Sequence, residues 1–184
     1  LTGANIPFAV RARVCLLRDL GSSLAPDNAF SIIQGLETVA LRMERHCENA
    51  HKVVEFLSKH KEISKVIYST KHEKKISDRA KQYLKGGNGA MVGIELKGGI
   101  EAGKKFIEAL KMFYHVANIG DARSLATHPA STTHSQLNEE QLKASGVTHG
   151  YVRLCIGIEH IDDIIDDIDQ ALNKSSKGNL KAVS

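Results

Sequence analysis

The residues best suited to chemistry are gathered in Tyr151-Val152-Arg153-Leu154-Cys155-Ile156-Gly157-Ile158. Read as a strand, side chains alternate between two faces. Val152, Leu154, Ile156 and Ile158 then face a core, and Arg153 stands opposite, beside Tyr151, Cys155 and Gly157. A guanidinium offers two parallel donors that match a carboxylate, a geometry lysine lacks. The small Gly157 on that face would leave room for a ligand. Alternation alone leaves a second reading open, a surface arginine on a half-exposed strand.

The nine histidines include His115, His128, His134 and His149, and imidazole is a common metal ligand. These four show no i, i+4 pair and no CxxC partner, so surface or hydrogen-bonded histidines are expected and no metal is. Cys15, Cys47 and Cys155 are odd in number and far apart. That is reduced-compartment usage, giving a cytoplasmic expectation.

The elements that must hold these residues can be read from periodicity. Ala9 to Leu20 reads as a helix stopped at Gly21, and Pro26-Asp27-Asn28 opens the next. From Leu36 an apolar stripe runs through Ala40, Met43, Cys47, Ala50, Val54 and Leu57, predicting one long helix over 36–60. Arg42, Arg45, Glu48, Asn49, Lys52 and Lys59 are expected on its other face. Short strands and helices then alternate: a strand at 63–69, a helix at 77–84, a strand at 90–97 with Val92, Ile94 and Leu96 on one face, and a helix at 101–112. A strand is expected at 114–119, loop at 120–137, and a helix at 138–145 with Asn138 as N-cap. The strand bearing Arg153 follows, then a helix at 160–173 with Ile161, Ile164, Ile165, Ile168 and Leu172 inward and Asp162, Asp163, Asp166, Asp167 and Asp169 outward. Residues 174–184 read as a polar tail. The expected division is 1–60, a helical segment with a linking helix; 61–173, an α+β (α/β) small domain; and 174–184.

Composition narrows the function classes. The 184 residues are 42% hydrophobic and 25% charged, with net charge +4, 5% aromatic and no Trp. No basic-aromatic interleaving marks a nucleic-acid site; Lys71, Lys74 and Lys75 read as a solvated face. No apolar run is long enough for a membrane span, and no signal-peptide pattern opens the chain. It begins on Leu, so residues upstream are expected.

Several blocks carry a resemblance. They are Leu17-Arg18-Asp19-Leu20-Gly21, Asn28-Ala29-Phe30, Gln34-Gly35-Leu36-Glu37-Thr38, Leu41-Arg42-Met43-Glu44-Arg45-His46, the stretch from Asn118 to His134, Gly146-Val147, Val152-Arg153-Leu154 and Gly157-Ile158-Glu159. In this order they resemble the cystathionine and methionine metabolism family of pyridoxal-phosphate enzymes over about residues 1–173. Arg123-Ser124-Leu125 with Ser131-Thr132-Thr133-His134 looks like the O-acetylhomoserine sulfhydrylase pattern; lyases and cystathionine synthases of the family more often carry Glu and Met at 123 and 132.

The resemblance implies the C-terminal small domain of an aspartate-aminotransferase-like fold, a mostly antiparallel sheet with helices on one face. It implies that Arg153 binds the α-carboxylate of an amino-acid substrate, that Ser124 sits near that carboxylate, and that Thr133 lines the same pocket. The family's cofactor, pyridoxal phosphate, forms a Schiff base with a lysine in a Ser-x-Thr-Lys-Tyr setting upstream. Tyr68-Ser69-Thr70-Lys71-His72 imitates that setting but falls in the family's small-domain loop, so no covalent cofactor and no catalytic residue is expected in this chain. The implied activity belongs to the whole enzyme, in which sulfide replaces the acetate of O-acetylhomoserine to give homocysteine. Two departures, the Ser69–Lys75 loop and Asp27 in place of an aromatic residue, are compatible with a chain no longer held to full enzyme function. Two alternatives stay open: a non-catalytic oligomerisation or interaction module whose interface is the stripe over 36–57, and another member of the family such as a cystathionine gamma-synthase or methionine gamma-lyase. Homo-oligomers or a missing cofactor domain are the expected partners.

Overall fold

The computed structural model describes residues 6–71 and 73–176. The chain divides into two compact units, Leu1–Ala40 and Leu41–Ser184. The first is helical. Helix α1 (Pro7–Arg11) opens on a proline, whose missing N–H costs nothing at that position, and continues as π-helical turns over Ala12–Asp19. The N–H of Leu20 bonds to the Cys15 carbonyl and that of Ser22 to the Leu16 carbonyl, with Gly21 between them at φ +74°. Only glycine adopts that backbone freely. Helix α2 is Pro26–Glu37.

The helix expected over 36–60 is two. Thr38 leaves helical geometry (φ −110°, ψ 4°), and α3 runs from Val39 to Leu57. The predicted stripe is also only half covered. Ala50, Val54 and Leu57 are fully buried, whereas Leu36 is 62% and Met43 43% exposed. His46, Asn49 and Val53 are buried beside them, so Asn49 belongs to the inner face and not the outer one.

The second unit is built on a five-stranded sheet ordered β1-β2-β5-β4-β3. Its strands are β1 (Ile63–Ile67), β2 (Met91–Leu96), β3 (Tyr114–His115), β4 (Leu125–Thr127) and β5 (Tyr151–Cys155). Every pairing is antiparallel except β3 with β4. Val92, Ile94 and Leu96 of β2 and Val152 and Leu154 of β5 share one buried face. That face packs with Val53, Val54 and Leu57 of α3, Phe106 of α5 (Gly99–Ala109) and Ile164, Ile168 and Leu172 of α7 (Ile161–Ser176) in a single core. Burying each such side chain contributes roughly 1.5–3 kcal/mol.

Helix α4 (Lys74–Tyr83) precedes β2. Helix α6 (Glu139–Ala144) has the expected N-cap: Asn138 accepts from the Gln141 N–H, and the Gln141 side chain accepts from the Asn138 N–H. Three expectations give way. Residues 120–137 contain β4, whose three residues are all buried. Helix α7 extends through Ser176, taking in the start of the expected tail; residues 177–184 lie outside the described residues, as do 1–5. Asp167, expected outward, is buried, and its carboxylate accepts the N–H groups of Lys111, Met112 and Phe113. An acceptor with several donors repays its desolvation. Among the described residues no helix is long and apolar enough to cross a membrane.

Candidate carboxylate site on the open face of the sheet

Alternation holds from Tyr151 to Leu154 and then stops: the strand ends at Cys155, Cys155 and Gly157 are buried along with Ile156, and Ile158 is half-buried. Val152 and Leu154 are fully buried, and Arg153 is half-buried on the opposite face. In the sheet, Arg153 lies between Gly93 of β2 and Thr127 of β4. A Cβ on Gly93 would meet the Tyr151 ring at 2.7 Å, so that ring lies across the glycine beside the arginine. The space that Gly93 leaves next to Arg153 is filled by that ring and, on its other side, by Ile67, whose Cβ would lie 3.1 Å from the added one. Gly157, expected to leave room for a ligand, lies beyond the end of β5, where a Cβ would come within 2.5 Å of the Ser124 nitrogen and 2.6 Å of the Ala122 oxygen.

Arg153 Nη2 donates to the Asn118 carbonyl at 3.1 Å, and the Cys155 thiol approaches the same oxygen at 3.6 Å. The Nε–H of Arg153 is buried with no acceptor. A buried charged donor without a partner costs about 1–3 kcal/mol or more, and a carboxylate is the acceptor whose geometry fits a guanidinium edge. Burial pushes the Cys155 thiol up, against the opposing charge of Arg153, and burial likewise raises Tyr151. The arrangement presents a guanidinium edge whose shape suits a carboxylate.

Ser124 stands at the turn before β4 but is fully buried, with its hydroxyl engaged twice: it donates to Glu159 Oε2 at 3.0 Å and accepts from the Gly157 N–H at 2.9 Å. Its own N–H donates to Glu159 Oε1 at 2.7 Å. Thr133 is exposed and shares a 2.8 Å hydrogen bond with His134 Nδ1. The structure thus brings Asn118, not the Ser124 or Thr133 hydroxyl, against Arg153. Asn118 opens the block of sequence that carries the resemblance, and the parity of β5 alone gave no sign of it. Arg123 lies 4.2 Å over the Tyr114 ring and pairs with Asp121, whose carboxyl its backbone N–H and side chain hold below the usual range.

Lys71 ends a short 3-10 turn, Ser69–Lys71, just after β1. It is exposed, and β1 is two strands from β5; His72 lies outside the described residues. A cavity of about 590 Å³ between α3 and α7, lined by Phe56, His60, Ile161 and Ile165 among others, includes no residue of the Arg153 face.

Among the described residues no group of three or more His, Cys, Asp or Glu side chains is placed to hold a metal. His128 shows what one of the candidate histidines does instead. It is fully buried, its Nε2–H donates to the His149 carbonyl at 2.9 Å, and its Nδ1 lies 2.8 Å from the Ser131 hydroxyl. Burial, chiefly, lowers its pKa from 6.5. The unfolded chain therefore binds the proton first as pH falls. Stability is complete above pH 6.5 and declines below it toward the lowered folded value, by at most about 1.4 kcal/mol per pH unit for this one group. Urea midpoints between pH 7.5 and 5.5 are expected to fall less steeply for His128→Gln than for the native chain; equal slopes would remove the assignment.

The family model for Cys/Met-metabolism, pyridoxal-phosphate-dependent enzymes matches residues 4–173. An O-acetyl-L-homoserine sulfhydrylase of Leptospira meyeri is 54% identical over 171 residues, covering 92% of this chain and 39% of that protein. An L-methionine gamma-lyase of Fusobacterium nucleatum is 44% identical over 171 residues, covering 92% of this chain and 43% of that protein. A crystal structure described as an O-acetylhomoserine (thiol)-lyase of Campylobacter jejuni superposes with a TM-score of 0.83 at 42% identity, over 94% of this chain and 41% of its own. Its pyridoxyl-lysine lies at a position this chain does not cover. The chain spans about two-fifths of the length of the relatives it matches.

Proposed function

The chain belongs to the Cys/Met-metabolism family of pyridoxal-phosphate-dependent enzymes, and from that premise we propose that it supplies the substrate-carboxylate half of an O-acetylhomoserine sulfhydrylase. The observation that carries the reading is Arg153, set on the open face with a buried Nε–H that has no acceptor. In the whole enzyme the cofactor supplies an electron sink. The residues present do not fit its covalent attachment: Lys71 stands exposed at the far edge of the sheet, and no step of that chemistry is assigned to this chain. Its own part is to bind and orient. Arg153 receives the α-carboxylate of the amino acid through Nε and Nη2, and the half-buried Tyr151 ring over Gly93 limits water beside it. Ser124 acts through the turn it holds, and Thr133 lines the approach. Residues 61–173 form the small substrate-binding domain, with residues 1–60 leading to the part that holds the cofactor. The setting proposed is cytoplasmic, in a homo-oligomer.

Joining this chain to the preceding three-fifths of the Leptospira relative, in place of that protein's own C-terminal part, tests the reading. Formation of homocysteine from O-acetyl-L-homoserine and sulfide is expected. A folded, cofactor-loaded graft that makes none would exclude it. That result, with self-association of the 184-residue chain by light scattering, would favour the second reading, a non-catalytic interaction module. The feature favouring it is the exposed apolar surface of Phe30, Ile33 and Leu36 on α2.

A further inference from the structure

We propose that Asn49 and His46 of α3 are positioning residues for Arg153, acting through the turn at residues 156–159; the proposal rests on the reading of Arg153 given above. Strand β5 ends at Cys155, and the four residues after it are held from three directions. The Ile156 N–H donates to the Ala90 carbonyl at 2.9 Å. The Ile156 carbonyl accepts His46 Nδ1–H at 2.6 Å, which fixes that imidazole's tautomer. Asn49 spends its amide on the same segment, Nδ2 donating to the Gly157 carbonyl at 3.0 Å and the Glu159 carbonyl at 2.9 Å. From the other side, the Ile158 N–H donates to the Ala122 carbonyl at 2.9 Å, and Ser124 is tied to Gly157 and to the Glu159 carboxylate.

Both polar side chains of α3 are buried, Asn49 completely and His46 to 4% exposure. Burying an amide is unfavourable unless its donors are used. Here both go to one turn, while Oδ1 is left without a partner. Reversing the amide would set Oδ1 against two carbonyls, so the orientation is settled. The turn bears on Arg153 along two routes. It anchors β5, on which Arg153 stands three residues before Ile156. Through Ala122 and Ser124 it also anchors the segment leading from Asn118, whose carbonyl accepts Arg153 Nη2. The strand beneath the guanidinium and the carbonyl it leans on are both referred to α3. A binding group must be held within roughly half an ångström of its working geometry by such supports.

The test uses the full 184-residue chain and the Arg153 Nε–H signal in a nitrogen-15 NMR spectrum, assigned by its loss in Arg153→Lys. In Asn49→Ala, and in His46→Ala as a second variant, solvent exchange of the Arg153 Nε–H is expected to quicken at least about tenfold. Backbone amides of α5 and α7 should stay within about twofold. Unchanged Arg153 exchange in either folded variant would overturn the proposal. So would global loss of α5 and α7 protection in both, since the two residues would then be core structure and not positioning groups. Titration of the native chain with O-acetyl-L-homoserine separates this from the carboxylate reading. A protected Nε–H that does not shift with ligand sinks that reading, whereas quickened exchange in the variants reports on the hold of Asn49 and His46 on the 156–159 turn alone.

Discussion

Arg153→Lys in the grafted enzyme is expected to lower kcat/KM for O-acetyl-L-homoserine by about 100-fold, and Arg153→Ala by more. Hydrogen bonds to a charged partner are worth about 1.5–3 kcal/mol each, and about 1.4 kcal/mol is a factor of ten. A bidentate pair reduced to a single ammonium contact therefore forfeits roughly two factors of ten. The lysine keeps the charge but has neither the planar fork nor the reach along the strand that sets Nη2 3.1 Å from the Asn118 carbonyl. The loss should appear mainly in KM if the carboxylate contact is equal in ground and transition states. Thr133→Ala in the same graft should change kcat/KM by less than about threefold, because that hydroxyl is exposed and bonded to its neighbour His134. Steady-state kinetics with sulfide saturating decides it. A lysine variant within threefold of the parent would leave Arg153 as an ordinary surface residue.

What was legible in the sequence was what depends on neighbours a few residues away. Val152 and Leu154 declared a core face by period two, and Ile164, Ile168 and Leu172 did so by steps of four. The Asn138–Gln141 capping box is local to three residues and was readable in its first half. Strand β4 was not, because all three of its residues are buried. A strand covered on both faces has no alternation, and its pairing partner β5 lies some 28 residues on. Thr38 ends α2 although the apolar spacing runs straight past it.

The polar anchors were missed for a related reason. Asn49 and Asp167 were assigned outward because polar residues on helices usually are. Yet His46, Asn49, Ala50, Val53, Val54 and Leu57 follow a three-four rhythm, and so do Ile164, Asp167, Ile168, Ala171, Leu172 and Ser175, all buried. The signal was a polar residue in phase with the core. Its meaning was hidden because the partners of Asn49 lie 108–110 residues away and the backbone donors to Asp167 54–56. The carboxylate face shows the same division. Arg153 was found by parity, while Gly93 and Asn118, which shape its surroundings, come from two other segments of the chain.

That dependence on distant backbone makes Gly157→Ala the substitution with the largest expected cost to stability. The added Cβ would meet Glu159 Oε2 and lie 2.5 Å from the Ser124 nitrogen and 2.6 Å from the Ala122 oxygen. The first of these is a side-chain end and can move; the other two are backbone, and real Cβ atoms do not approach so closely. Relief requires the 156–159 turn to part from residues 122–124. That breaks the Ile158-to-Ala122 bond and the contacts of Ser124 with Gly157 and Glu159, leaving buried groups unpaired. Overpacking costs about 1–3 kcal/mol and lost buried bonds add to it, so a total of about 4 kcal/mol is expected. For a chain of this size that is a fall in melting temperature of roughly 8–16 °C. Gly103→Ala is the matched comparison. Its Cβ would press on the His128 ring, with Cδ2 at 2.6 Å; moving that ring strains its bonds to His149 and Ser131, but a side chain gives more readily than two backbone segments, and α5 gains helix propensity from alanine. It should therefore fall by less than Gly157→Ala. Calorimetry of the two variants gives the order directly, and a Gly157→Ala protein melting within 3 °C of the native chain would mean that the turn gives way cheaply and holds nothing in place.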